Sequence, residues 1–346
     1  MKFNKSKLNV VFLVDKYNYR RTFHPEDLNF LRSFSNILND GMLTDKIDKR
    51  YMADSIAGAE ACITCWGTPE LDKQILEKAS DLRVIAHAAG TPKSIVTDAV
   101  WERNIRVFTA APIIAIDVAE TTLGAIIYSL KCMYQHDNFV RKGVWIDDPS
   151  QIDSQRESMY RLNYRLTIGI VSASHVGKNL AGMLKPFGVR IKLFDPYITE
   201  FAAKELGTEK VTLKELMSTS DVVTLHSPNI PETFHLIDKE KLALMKNGAL
   251  FVNTSRGQIV DEDALIRELQ TGRIKAYLDV YNEEPLPKES ALHKLDNVLL
   301  TPHISGGQTV NGGYERGNYI IQQLYSYHNT GFLQYETNRD MMSTIA

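Results

Sequence analysis

Short runs of almost wholly apolar residues recur along the chain, and between them apolar residues return every three or four positions. In the first third, Val10–Val14, Ala61–Cys65, Arg83–His87 and Arg106–Thr109 read as buried strands, and the segments between them carry a helical period. That alternation predicts a parallel sheet with helices on its faces. From Leu166 it restarts more strongly, with strands expected at Leu166–Val171, Val189–Phe194, Asp221–Leu225, Ala249–Asn253, Ala276–Val280 and Asn297–Leu300. Six strands separated by helices are the complement of a doubly wound dinucleotide-binding sheet. Between the two sets, Ile116 to about Met133 is apolar and rich in helix formers. It reads as a helix linking two domains, too short and too interrupted to span a bilayer. A further amphipathic stretch near Tyr319 to Tyr327 follows the glycine-rich Ser305-Gly-Gly307, and no internal repeat is evident.

A length of 346 residues exceeds one ordinary domain, so two are expected. A formal net charge of -2 gives no reason to expect nucleic acid or an anionic membrane as the partner. The polar Met1–Lys7 leads straight into a strand, so no signal peptide is expected. The odd, sparse cysteines Cys62, Cys65 and Cys132 suit a reducing, cytoplasmic compartment. Cys62-Ile-Thr-Cys65 has the CxxC spelling, but in a strand positions i and i+3 face opposite ways. With no second pair in the chain, packed thiols are expected and no metal site.

The strand Leu166–Val171 runs into Ser172-Ala-Ser-His-Val-Gly177, and a helical pattern begins at once. That is the context of a dinucleotide fingerprint, in which pyrophosphate sits on helix N-terminal amides. The spelling departs from it: Ser172 and Ser174 replace the first two glycines of GxGxxG, and Gly177 alone remains. Each serine adds a Cβ where backbone approaches ligand. The next strand ends in Asp195, 18 residues beyond Gly177, where a carboxylate would meet the adenosine ribose hydroxyls. Such an acid repels a 2′-phosphate, and Pro196-Tyr197-Ile198 supplies no arginine to accept one, so NAD is favoured over NADP.

Three later stretches carry candidate chemistry. They are Met245–Gly257 with the Ile259–Leu265 that follows, Leu278–Pro287, and Leu300–Gly306. Together they closely resemble the D-isomer-specific 2-hydroxyacid dehydrogenases, from roughly Trp66 to the carboxyl end. Val118-Ala-Glu120, Leu225-His-Ser-Pro228 and Tyr335-Glu-Thr add to the likeness, and Ala86–Gly90 resembles a phosphoglycerate-dehydrogenase-like subgroup. The resemblance implies that Arg256 holds the substrate carboxylate and polarises the 2-carbonyl, work suited to a permanently charged planar fork of donors. It implies that His303 is the acid/base and that Glu284 pairs with its imidazole. Asp279 would lie near the nicotinamide, and His226, Pro228, Thr254, Gly306 and the turn residues His175-Val176 would line the cofactor site. Backbone N–H groups of Ala89, Gly90 and Thr91 would receive the substrate carboxylate. Lys93 has two readings: a cleft cation favouring a second anionic group on the substrate, or a solvated surface lysine.

The expected architecture is thus α/β, with two doubly wound parallel-sheet domains. Residues 1–112 with 305–346 form a discontinuous, flavodoxin-like substrate domain, and residues 113–304 form the Rossmann-type NAD domain. The active site is expected in the cleft, and a homodimer through the helix after Ile116 and the segment around Trp145. The expected reaction is reversible hydride transfer between NAD(H) and C2 of a small D-2-hydroxy or 2-keto acid. The rival from another class is an NAD-binding sensor or scaffold, like the dehydrogenase-related transcriptional corepressors. Formate oxidation is disfavoured, because that branch of the family has glutamine where Glu284 stands. A long-form serine-pathway dehydrogenase is not expected either, since no regulatory domain follows the family-like end.

Overall fold

The computed structural model describes residues 6–145 and 159–345. The chain divides into two compact units, Met1–Ile114 with Gly307–Ala346, and Ala115–Gly306. The Trp145 indole is exposed, and the rest of the stretch after it that was expected at a dimer contact lies outside the described residues.

The first unit is built on β1 (Leu8–Leu13), β2 (Ser35–Ile37), β3 (Ala61–Thr64), β4 (Val84–His87) and β5 (Arg106–Thr109), in the parallel order β2-β1-β3-β4-β5. A C-terminal strand, Glu336–Thr337, adds antiparallel to β5. The Arg106 guanidinium grips it through a two-point pairing with Glu336 (Nε to Oε1 2.8 Å, Nη2 to Oε2 2.5 Å). Alternate residues of the buried strands feed two cores, one on each face of the sheet. Cys62 enters one core and Cys65 the other, and burial pushes both thiols up, Cys65 to about 11. The pair is therefore inert packing material.

The 21-residue helix Val310–Thr330 closes the first core against Phe23, Leu28 and Leu31. It lies so close to the helix Lys16–Thr22 that a Cβ on Gly317 would stand 1.9 Å from the Thr22 carbonyl oxygen. Backbone cannot yield there as a flexible side chain would, so glycine is required.

The second unit contains β6 (Thr167–Val171), β7 (Arg190–Phe194), β8 (Glu209–Lys210), β9 (Val222–Leu225), β10 (Leu250–Asn253), β11 (Lys275–Leu278) and β12 (Val298–Leu300). All are parallel, in the order β8-β7-β6-β9-β10-β11-β12. The order reverses between β6 and β9, which makes their carboxyl ends the switch point where doubly wound sheets bind ligands. Both sheets thus have the doubly wound parallel character read from the alternating runs. β2, β8 and the C-terminal strand, of two or three residues each, have no counterpart in that reading.

The linking helix spans Ala111–Leu130. At 20 residues, with a mean hydropathy of 1.6 over its most apolar 18-residue window, it is by length and composition alone enough to cross a membrane, which corrects the expectation that it is too short. Its side chains pack within the second unit: Ala119, Ala125, Ile126 and Leu130 join the core of β6 and β9. Thr122 shares a hydrogen bond with Thr254 (3.0 Å), and Thr121 donates to the Ser305 carbonyl (3.1 Å).

Replacing Gly317 by alanine is expected to lower stability by about 1–3 kcal/mol through the backbone clash with Thr22. Urea denaturation would measure it, and an unchanged midpoint would show that the two helices part without cost.

Candidate active site

The turn after β6 is compact. A Cβ on Gly177 would lie 2.1 Å from the Ser172 carbonyl oxygen, so the helix His175–Leu184 approaches the strand as only glycine permits. Ser172 takes φ +84°, a conformation that favours glycine. Ser174 caps the helix, accepting from the Gly177 amide at 3.4 Å. The amides of Ser174 and Val176 make no hydrogen bond to the described chain. Asp195, buried at the end of β7, stands beside the turn: its Oδ2 accepts from the Ala173 amide at 2.8 Å. Unmet helix N-terminal amides next to a strand-end carboxylate fit a dinucleotide. The His175 ring is exposed at the first helical position.

The carboxyl ends of β10, β11 and β12 carry the residues with catalytic potential. Asn253, the last residue of β10, bends the chain back on itself: its Oδ1 accepts from Ser255 N and its Nδ2 donates to Arg256 O, both at 3.0 Å. Ser255 Oγ donates in turn to the Ser227 carbonyl. Arg256, largely buried, donates from Nη1 to Ser255 O at 2.7 Å. Burial pulls its pKa down and the nearby Glu284 carboxylate opposes the shift, and a guanidinium keeps its charge under both.

Glu284 also reaches His303, Oε2 to Nδ1 at 2.6 Å, while its Oε1 accepts from the Tyr281 amide at 3.1 Å. The carboxylate thus holds Nδ1 and leaves Nε2 of an exposed imidazole for other chemistry. His303 sits at φ +53°. What keeps it there is Asp279, just past β11 and 1% exposed. Asp279 Oδ1 accepts from Thr301 Oγ1 at 2.6 Å and Ile304 N at 2.9 Å, Oδ2 accepts from Ser305 N at 2.9 Å, and its carbonyl accepts from His303 N at 2.9 Å. The sequence reading put Asp279 beside a nicotinamide; its carboxylate here clamps the loop that presents His303.

Four more residues read as cofactor-lining belong to the same unit. His226 is buried, with Nε2 on Thr224 Oγ1 at 3.0 Å, no partner for Nδ1 among the described residues and a pKa driven down to about 3 by burial. The Pro228 carbonyl accepts from Thr233 Oγ1 at 2.6 Å, and Thr254 meets Thr122. Gly306 is half-buried where the second unit ends.

In the first unit, Ala89, Gly90 and Thr91 follow β4, and none of their three consecutive amides makes a hydrogen bond to the described chain. Such a run is a receptor for an anion. The loop is anchored by His87, 1% exposed, which meets Thr64 Oγ1 at 2.9 Å through Nδ1 and the Thr91 backbone as well. Neither His87 nor Thr64, Asn253 or Thr122 was singled out from the sequence. Their contacts join residues distant in the chain, and only strand register brings them together. Lys93 is exposed.

Residues 123–305 match the family described as D-isomer specific 2-hydroxyacid dehydrogenase, NAD binding domain. A D-3-phosphoglycerate dehydrogenase of Methanocaldococcus jannaschii is 34% identical over 280 residues, covering 80% of this chain and 51% of the relative, so the chain spans about half that protein's length. A glyoxylate reductase of Korarchaeum cryptofilum is 34% identical over 259 residues, 74% of this chain and 76% of the relative. The solved structure of a D-isomer specific 2-hydroxyacid dehydrogenase from Lactobacillus delbrueckii ssp. bulgaricus, in NAD-complexed form, superimposes with a TM-score of 0.79. It covers 96% of this chain and 100% of that one at 20% identity, which shows a common fold.

Burial drives the His87 pKa from 6.5 down to about 4. Between those values the unfolded chain binds a proton that the folded chain refuses. Stability should therefore fall as pH drops through this window, by up to about 1.4 kcal/mol per unit for this one group. Urea denaturation at several pH values should give a shallower slope for His87→Gln; equal slopes would mean that His87 takes its proton in the folded state.

Proposed function

The chain belongs to the D-isomer specific 2-hydroxyacid dehydrogenase family, and from that premise we propose that it interconverts a small 2-keto acid and its D-2-hydroxy acid. The observation that carries this reading is the 2.6 Å contact between Glu284 Oε2 and His303 Nδ1, with the Arg256 charge alongside. NAD(H), when bound, supplies or takes the hydride. Ser174, Val176 and the other turn residues would hold it through backbone amides, with Asp195 toward the ribose.

In the reductive direction, Arg256 takes the keto acid's carboxylate and draws electron density from the 2-carbonyl. In the first unit, the amides of Ala89, Gly90 and Thr91 offer a place for an anionic group. His303, when protonated, keeps its Nδ1–H hydrogen-bonded to Glu284 and gives its Nε2 proton to the carbonyl oxygen as that oxygen gains charge. In the oxidative direction the neutral ring takes the proton back. Glu284 fixes which nitrogen faces the substrate, a role an amide would fill poorly because it carries no charge to stabilise imidazolium. Asp279 positions the His303 loop.

A homodimer belongs to the same reading. A third of the apolar window of Ala111–Leu130 is buried within the chain, and Ile116, Met133, Val140 and Trp145 are exposed nearby in sequence. Three buried free thiols suit a reducing, cytoplasmic setting.

The test is a panel of glyoxylate, hydroxypyruvate, pyruvate and 2-ketoisocaproate with NADH, followed by loss of nicotinamide absorbance. Keto-acid-dependent oxidation is expected, falling by about 10²–10⁴-fold in His303→Ala. Glu284→Gln should lower kcat while leaving NADH affinity intact. NADH binding without turnover on any keto acid would favour the sensor or scaffold reading, which the serine-substituted turn supports. If Lys93 selects a second anionic group, Lys93→Ala re-orders the panel; an unchanged ranking makes it a solvated lysine. Sedimentation equilibrium should give twice the 39.1 kDa chain mass, and a monomer at micromolar concentration would remove the dimer.

A further inference from the structure

Asp195 is buried, and donors of its own chain surround its carboxylate. Oδ1 accepts from the amides of Tyr197 (2.8 Å) and Ile198 (3.1 Å), and Oδ2 accepts from the Ala173 amide (2.8 Å) and the Ser172 hydroxyl (3.3 Å). An ionised carboxylate offers about four acceptor positions, so no vacant one is left for a ribose diol. Three of the donors are backbone N–H groups held by the turns on either side. The fourth, the longest, is a side-chain hydroxyl that reaches Asp195 through one χ1 and leaves it in another staggered rotamer.

From this we infer that Ser172 is a placeholder: its hydroxyl occupies the acceptor position on Asp195 that the cofactor's ribose takes, and it rotates away when NAD binds. The inference rests on the reading of Asp195 as the ribose-binding acid. It concerns a departure special to this turn, since a glycine at position 172 would bring no hydroxyl. The backbone contributes as well: at φ +84° the Ser172 side chain is directed at the end of β7 rather than away from it. The protein thereby satisfies Asp195 in the free state, and ligand binding must break one hydrogen bond to make another. Cofactor affinity is lower by the strength of the bond broken.

Ser172 as a direct cofactor ligand, donating to phosphate or ribose, makes the opposite prediction. The experiment is a fluorescence titration of the full chain with NADH and NADPH, on wild type, Ser172→Ala, Ser172→Gly and Asp195→Asn. Removing the hydroxyl is expected to lower the NADH Kd about three- to tenfold in both serine variants. Unchanged or weaker NADH binding in both serine variants overturns the placeholder. The reading of Asp195 is tested separately: Asp195→Asn should narrow the preference for NADH over NADPH, and an unaltered preference would sink that reading whatever the serine variants do.

Discussion

A parallel sheet delivers every strand to one edge, and there the ladder of backbone hydrogen bonds stops. Each chain leaving that edge carries N–H groups that have lost their strand partner and must find acceptors within a few residues. In this protein polar side chains at or just past the strand ends supply them. Asp195 after β7 receives four donors. Asn253 ends β10 and closes the Ser255–Arg256 bend, and Asp279 after β11 receives three donors from the loop beyond β12. In the other unit His87 ends β4 and anchors its loop to Thr64 on β3. The loops are rigid because these groups are buried: in a medium where water cannot replace them, each lost partner would cost about 1–3 kcal/mol.

The catalytic candidates are products of that constraint. Arg256 and His303 are each carried by a neighbour whose side chain or backbone is tied down. His303 is held at φ +53° by three amides and a hydroxyl that all donate to Asp279, its own amide to the Asp279 carbonyl. Its imidazole can therefore stand in solvent and still keep one orientation toward Glu284. Where the loops leave amides unmet, at Ser174 and Val176 and at Ala89 to Thr91, the same accounting points outward, to an anion the chain does not itself contain.

Much of this was legible along the chain, for definite reasons. Strands of four or more residues buried on both faces read as apolar runs, and the order of such runs and helical stretches specified two doubly wound sheets. The quoted motif residues lie at strand ends because βα loops are where such a sheet can present side chains. Of the strands of two or three residues, β2, β8 and the C-terminal strand left no trace, and neither did partnerships across the sheet. Thr64 with His87, Thr122 with Thr254, and Glu336 with Arg106 are between 23 and 230 positions apart, and nothing local to either residue announces the other. The helix Ala111–Leu130 misled for a similar reason. Asp117 and Glu120 interrupt its apolar run on paper, whereas on a helix they occupy two positions of a 20-residue cylinder that is apolar over most of its surface.

The serines of the nucleotide turn show why a motif can be misspelled and its geometry kept. What the turn demands is a sharp reversal after β6 and a close approach of helix to strand. The second demand falls on Gly177, where a side chain would meet backbone, and that glycine is present. The first falls on residue 172, where a serine costs about 1–2 kcal/mol for its positive φ, a strain the domain absorbs because the hydroxyl has Asp195 to bond. Ser174 is nearly free of penalty, since an N-cap is where serine is favoured and its extended backbone needs no glycine. The fold therefore tolerates both substitutions. What they alter is the turn's dealings with a ligand: one hydroxyl caps the helix proposed to offer its amides to the phosphates, and the other sits on the acid proposed to meet the ribose.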